Sequence, residues 1–181
     1  EAVKSCHILS MLVPDQIMRD VYEDNIKQYL KEGQTLLFSH GYNIHYKLIQ
    51  PSEFVNVIMA APSGAGTELR KHYINGSGIP GLFAVNQDHS GDSDKVALSY
   101  CRAIGLTKSG VVKSTFKEET ETDLFGEQAV LIGGIPKLIQ SSYKVLLESN
   151  YSPAVSWLVC YYELKTIVDM FHSKGFEFMN T

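Results

Sequence analysis

Apolar and polar positions along this chain follow two rhythms, and the rhythm changes near residue 114. Before that point, continuous apolar runs at 7–13, 35–39, 55–61 and 81–86 alternate with stretches of helical period at 16–31, 44–48, 67–73 and 93–104. A run that is apolar at consecutive positions marks a strand buried on both faces. Such strands separated by helices predict an α/β unit with a parallel sheet. The breaks between runs carry turn residues: Pro14-Asp15, His40-Gly41, Pro62-Ser63-Gly64-Ala65-Gly66, Gln87-Asp88, and Gly105 after the last helical stretch. Beyond 114 the period is helical throughout, at 121–133, 135–149 and 153–174, with no strand between. The pattern predicts an α/β half over 1–114 and an all-helical half over 115–181.

Composition narrows the class. A chain of 181 residues that is 44% hydrophobic can bury a core as one domain or two small ones. A net charge of -4 provides no basic footprint, so nucleic acid is not an expected partner. Cys6, Cys101 and Cys160 are odd in number, far apart and set in apolar runs. They read as reduced core thiols rather than a disulfide or zinc framework, which points to a cytoplasmic location. No apolar stretch approaches the ~18 residues of a membrane span, and no membrane partner is expected. The chain opens without Met, just ahead of an apparent strand, and is expected to be a portion of a longer protein.

The segment with the most chemistry is 116–128, where five carboxylates fall within ten positions. On a helix, Asp123 and Glu127 lie four residues apart, about 40° from each other around the axis. Two like charges on one face repel, and a hard divalent cation such as Mg²⁺ between them removes the repulsion. A solvated acidic helix start explains the same spacing. Leu124, Phe125, Ala129, Val130, Leu131 and Ile132 favour the metal, because they predict a helix buried on most sides. Unpaired buried carboxylates cost several kcal/mol.

In open α/β sheets, ligands gather at the carboxyl ends of the strands. His40, at a strand end and a glycine turn, is the strand-end residue best placed for chemistry, although a lone histidine is also compatible with a structural role. Gly64-Ala65-Gly66 is glycine-rich, but Leu69 stands where a dinucleotide fingerprint needs a third small residue. It also follows the third strand rather than the first, so it reads as a close-approach loop.

Five blocks together resemble the ketol-acid reductoisomerase family, also called acetohydroxy-acid isomeroreductase. They are LVPDQ at 12–16, SHGYNIH at 39–45, VNVIMAAP at 55–62, FKEETETDLFGEQAVL at 116–131 and YELKTIVD at 162–169. The resemblance runs nearly end to end and implies a partial, Rossmann-like NADP-binding sheet followed by a helical, metal-binding domain. It implies Mg²⁺-dependent alkyl migration in 2-acetolactate or 2-aceto-2-hydroxybutyrate, which are 2-hydroxy-3-oxo acids, then reduction by NADPH, on the way to valine and isoleucine. In that pattern His40 is the active-site residue. Asp123, Glu127 and Glu163 hold two Mg²⁺ ions, with Glu163 usually reaching in from a partner subunit. Asp15, Gln16, Ile17, Met18 and Gly66 fall where the family touches NADP. A homodimer or higher homo-oligomer through the helical half is implied, as is an organellar location for a plant or fungal source.

The chain departs from the family at three places. Ser63 stands where the family loop has lysine, and Val159 stands one turn before Glu163, where the family has another glutamate. The family's first βαβ unit, with its glycine fingerprint, precedes the point where this chain begins. Loss of a charged ligand and a nearby cation predicts a catalytic cost, since single electrostatic groups are worth ~10²–10³ in rate. The alternative to an active enzyme is therefore an impaired relative that keeps the fold for binding or assembly. Trp157, Tyr161 and Tyr162 read as core or interface aromatics, and His45 and His72 as surface or capping residues. Lys117 and Lys165 flank the acidic positions and balance their charge.

Overall fold

The computed structural model describes residues 2–177, and the contacts within it divide the chain into two units, 1–123 and 124–181. The first unit is a five-stranded sheet in the order β1-β2-β3-β4-β5: Ile8–Met11, Thr35–Phe38, Asn56–Pro62, Gly81–Gln87 and Val111–Lys113. Around it lie α1 (Ala2–Ser5), α2 (Asp15–Asn25), α3 (Tyr42–His45), α4 (Gly66–Ile74), α5 (Ser93–Ala103) and α6 (Phe116–Gly126).

Side-chain alternation on the central strands explains why the sheet is sandwiched. Leu36 and Phe38 of β2, with Val57, Met59 and Ala61 of β3, face one way and meet Met18, Tyr22 and Ile26 from the α2 side. Leu37, Ile58 and Ala60 face the other way and meet Ala97 and Cys101 of α5 together with Leu106. Both faces are covered, so both strands read as continuous apolar runs. At about 25 cal/mol per Å² of apolar surface removed from water, these two layers are the main source of stability in this unit.

The first three strands are parallel, with Met11, Phe38 and Met59 in register. Asp15, His40 and Ser63, which follow them, therefore leave the sheet at one edge. The fourth strand corrects the expectation of a wholly parallel sheet, because β4 runs antiparallel to β3 and Gly81 pairs with Pro62. The connection between the two strands, α4, buries none of its nine residues fully and packs Leu69 against the core. The excursion returns to the edge it left, closed by a hydrogen bond from the Ser63 N–H to the Pro80 carbonyl at 2.9 Å. The three-residue strand β5, parallel to β4, was not expected from the sequence. Val111-Val112-Lys113 is too short to show a period.

The second unit is helical, with α7 (Gly134–Glu148), α8 (Pro153–Trp157) and α9 (Leu164–Lys174). Two π-helical segments interrupt it, at Glu127–Leu131 and Leu158–Tyr162. Ser152 caps α8, accepting a hydrogen bond from the Val155 N–H, with Pro153 at the first helical position. The expectation that the helix around Asp123 and Glu127 is buried on most sides is not met. Phe125 is 71% exposed, Val130, Leu131 and Ile132 are also exposed, and Ser156 is the one buried residue among those described beyond Asp123. The helical period is present, but this unit has too few packed layers to cover its own apolar faces. Trp157, Tyr161 and Tyr162 are exposed for the same reason. The cysteine reading also needs correction: all three thiols are free, but only Cys101 is a core residue, and Cys6 is exposed. Among the described residues no helix is long and apolar enough to cross a membrane.

Candidate functional site

Between β2 and α3 the chain makes a tight turn at His40-Gly41, and α6 packs directly against it. Gly41 makes that approach possible. A Cβ there would lie 2.4 Å from Thr120 Oγ1 and 2.8 Å from the Phe116 carbonyl oxygen. Its φ of −81° is open to any residue, so the requirement is space, not backbone conformation. Phe116 anchors the start of α6, packing edge-on to Phe38 at 6.2 Å.

The result is a cluster that the sequence only half disclosed. His40 Nδ1 lies 2.8 Å from Glu119 Oε1 and 3.7 Å from Asp123 Oδ2. Glu119 is 5% exposed, and its second oxygen accepts hydrogen bonds from the Gly41 N–H at 2.8 Å and the Thr120 hydroxyl at 3.3 Å. A carboxylate can only accept, so Nδ1 of His40 carries the proton it shares with Glu119, which leaves Nε2 as the acceptor in the neutral ring. The hydrogen bond to Glu119 is the largest influence on His40 and raises its pKa. Partial burial opposes this, while the charges of Glu119, Asp15 and Asp123 add to it. The ring of Tyr42 lies roughly parallel to that of His40, with centroids 6.3 Å apart. A second link joins the same turn to α6, from His45 Nε2 to Glu121 Oε1 at 3.2 Å, so His45 is a pairing residue more than a surface one.

Glu119 escaped the sequence reading although a signal was present. Glu119, Asp123 and Glu127 recur every four residues, which on a helix is one stripe. Only the packing of α6 onto Gly41 separates their roles. His40, Glu119 and Asp123 bring ligand atoms within 4.8 Å of one another. Both oxygens of Glu119 are already engaged by protein donors, and its buried carboxylate orients His40. The Asp123 carboxylate is half exposed and offers the hard oxygen that suits Mg²⁺. In the second unit Glu127 and Glu163 are both exposed. Carboxylate oxygens of this kind are chemically suited to a hard divalent cation.

The residues expected at the cofactor lie on the edge that carries His40. Asp15 opens α2, Gln16 and Ile17 are exposed, and Met18 is buried in the core. Gly66 opens α4 and lines a cleft of about 410 Å³ with Leu69, Arg70, Tyr73, Ala103 and Ile104. Ser63 and Val159 are both exposed. Lys165 pairs with Asp169 on its own helix.

Comparison with other proteins bears first on the fold. A putative oxidoreductase from Jannaschia sp. CCS1 shares the fold, with a TM-score of 0.73 at 12% identity over 95% of this chain and 65% of that one. A narrower likeness follows from two family models: "Acetohydroxy acid isomeroreductase, NADPH-binding domain" matches residues 1–110 and "Ketol-acid reductoisomerase, C-terminal domain" matches 116–181. The chain belongs to the ketol-acid reductoisomerase family. It is 51% identical over 179 residues to the ketol-acid reductoisomerase (NADP(+)) of Clostridioides difficile (strain 630), covering 99% of this chain and 54% of that protein. It is 48% identical to the enzyme of the same name from Methanocaldococcus jannaschii, with the same two coverages. The structure of an NADH-preferring ketol-acid reductoisomerase from an uncultured archean matches with a TM-score of 0.94 at 44% identity, over 97% of this chain and 53% of that one. The chain thus spans about half the length of the curated relatives it matches.

Proposed function

We propose that this chain carries part of a ketol-acid reductoisomerase site that acts on 2-acetolactate or 2-aceto-2-hydroxybutyrate in branched-chain amino-acid biosynthesis. Residues 1–114 form the NADP-binding portion and 115–181 the start of the metal-binding helical domain. The single observation that carries the reading is the Glu119–His40 pair with Asp123 3.7 Å from the same ring nitrogen. An imidazole oriented by a buried carboxylate beside a hard-oxygen donor suits a substrate with adjacent hydroxyl and carbonyl oxygens.

When bound, Mg²⁺ would supply Lewis acidity at those oxygens and NADPH the hydride. Asp123, Glu127 and Glu163 would hold the metal, and Asp15, Gln16, Ile17, Met18 and Gly66 would contact the cofactor. His40, its ring fixed by Glu119, is placed to exchange a proton with an oxygen on which negative charge develops. The exposed apolar helices of the second unit, Trp157 among them, support assembly as a homodimer or larger homo-oligomer. A cytoplasmic or organellar setting follows from the same metabolic role.

A second reading, an impaired relative, rests on Ser63 and Val159. A short neutral hydroxyl cannot supply the cation of the family lysine, and valine cannot ligate a metal. The test compares the longest natural form with its S63K/V159E double variant in Mg²⁺-dependent NADPH oxidation with 2-acetolactate. Turnover by the natural protein is the expected outcome. Silence from the natural protein with activity in the double variant would establish the impaired relative, and silence from both would overturn the enzyme reading.

A further inference from the structure

The short helix α3 does more than follow His40 in the chain. Its second residue, Asn43, is 0% exposed. The Asn43 Nδ2 donates to the Asp15 carbonyl at 3.2 Å and to the Asp15 Oδ1 at 3.0 Å, and it approaches Met18 Sδ at 3.6 Å. All three contacts are acceptors, so the amide orientation is fixed, since a flip would set oxygen against oxygen. The consequence is a cost. Asn43 Oδ1 is buried and finds no hydrogen-bond partner among the described residues. An orphaned buried acceptor ordinarily destabilises by about 1–3 kcal/mol, and an apolar side chain of similar size would avoid it. The two hydrogen bonds that Asn43 donates to Asp15 are the return for that cost.

What the amide secures is the start of α2. The residue before that helix, Pro14, has no side-chain oxygen and cannot cap it. Asp15 is therefore held from outside, by a residue three positions after His40. The charge of Asp15 is also among those that raise the pKa of His40, so the two strand-end turns already interact.

We propose that Asn43 is a positioning residue, one that locks the Asp15–Met18 turn to the turn carrying His40 and so sets the nicotinamide cofactor against the reacting centre. This rests on the proposed function, since it takes Asp15 to Met18 as the cofactor contact. It assigns Asn43 no part in the chemical step.

Two variants of the longest natural form separate positioning from structure: N43L, which removes both polar atoms at similar volume, and N43D, which sets a carboxylate against Asp15. The readouts are the NADPH dissociation constant by cofactor fluorescence, the KM for NADPH against kcat, and the melting temperature. For N43L the expected result is ~10-fold weaker NADPH binding, as loss of one net hydrogen bond implies. That loss falls on KM rather than kcat, with an unchanged or raised melting temperature. N43D should bind NADPH more weakly still, and it keeps the test open if N43L does not fold. NADPH affinity equal to the natural protein in either folded variant would overturn the proposal, as would a fall in kcat with KM unchanged. If the natural protein itself binds no NADPH, the proposed function fails first and this inference with it.

Discussion

Glu119 Oε1 lies 2.8 Å from His40 Nδ1, a contact between residues 79 positions apart that ties the β2 strand end to α6. The pair has a defined pH signature. The His40 pKa is raised in the folded protein above the ordinary histidine value of ~6.5. The pair's contribution to stability is therefore fully present below pH ~6.5 and is lost as pH rises through the folded-state value. Glu119→Gln should flatten that dependence and cost about 1.5–3 kcal/mol at the acid end, as expected for a hydrogen bond to a charged group. Chemical unfolding at a series of pH values checks both. An NMR titration of His40 should show its midpoint moving to lower pH in the variant. A midpoint that stays in place would remove Glu119 as the cause.

Gly41→Ala tests the close approach of α6. The added methyl meets Thr120 Oγ1 and a backbone carbonyl that cannot rotate away, so α6 must shift. Destabilisation of about 1–3 kcal/mol is expected, as for overpacking in general. The double variant G41A/T120A should recover only part of it, because the Phe116 carbonyl remains in the way. Full recovery would mean that the side chain alone set the spacing.

Tyr22 makes the opposite prediction. Its hydroxyl is buried with no partner among the described residues, and burial pushes its pKa up to about 12. Tyr22→Phe removes an unpaired polar group without changing the packing, so stability should be unchanged or increased by up to ~1 kcal/mol. A loss above that range would show that the hydroxyl is satisfied by a group such as an ordered water.

The parts of the fold legible in the sequence were those where side-chain pattern and packing agree. The runs around Leu36-Leu37-Phe38 and Val57 to Ala61 became central strands because both of their faces are covered. The direction of β4 was hidden, because the apolar run at 81–86 reads the same whichever way the strand lies against β3. His40 and Asp123 were legible as chemistry and do come together. Glu119 was not, because its role depends on Gly41 admitting α6, a contact between distant segments that periodicity cannot show. The exposure of Phe125 and Ile132 was hidden for a related reason. Helical period records which face is apolar, not whether anything in the same chain covers it.

One π segment, Glu127–Leu131, begins at Glu127, and the other, Leu158–Tyr162, ends just before Glu163. Such one-turn insertions often mark functional sites. Deleting one residue from the first segment, Ala129, should restore α-helical register and weaken Mg²⁺ binding by at least ~10-fold while circular dichroism stays helical. Calorimetry with Mg²⁺ alone reads this without turnover, and unchanged affinity would dissociate the π turn from the metal.

The most direct test of the account is the Mg²⁺ dependence of NADPH oxidation with 2-acetolactate, measured for the natural protein in its longest form and for Asp123→Asn. A rate that saturates with Mg²⁺ is expected in the natural protein, and a fall of ~10²-fold or more in the variant, the usual scale for one electrostatic group at a reaction centre. A natural protein that turns over equally without Mg²⁺, or a variant that retains the full rate, would contradict it.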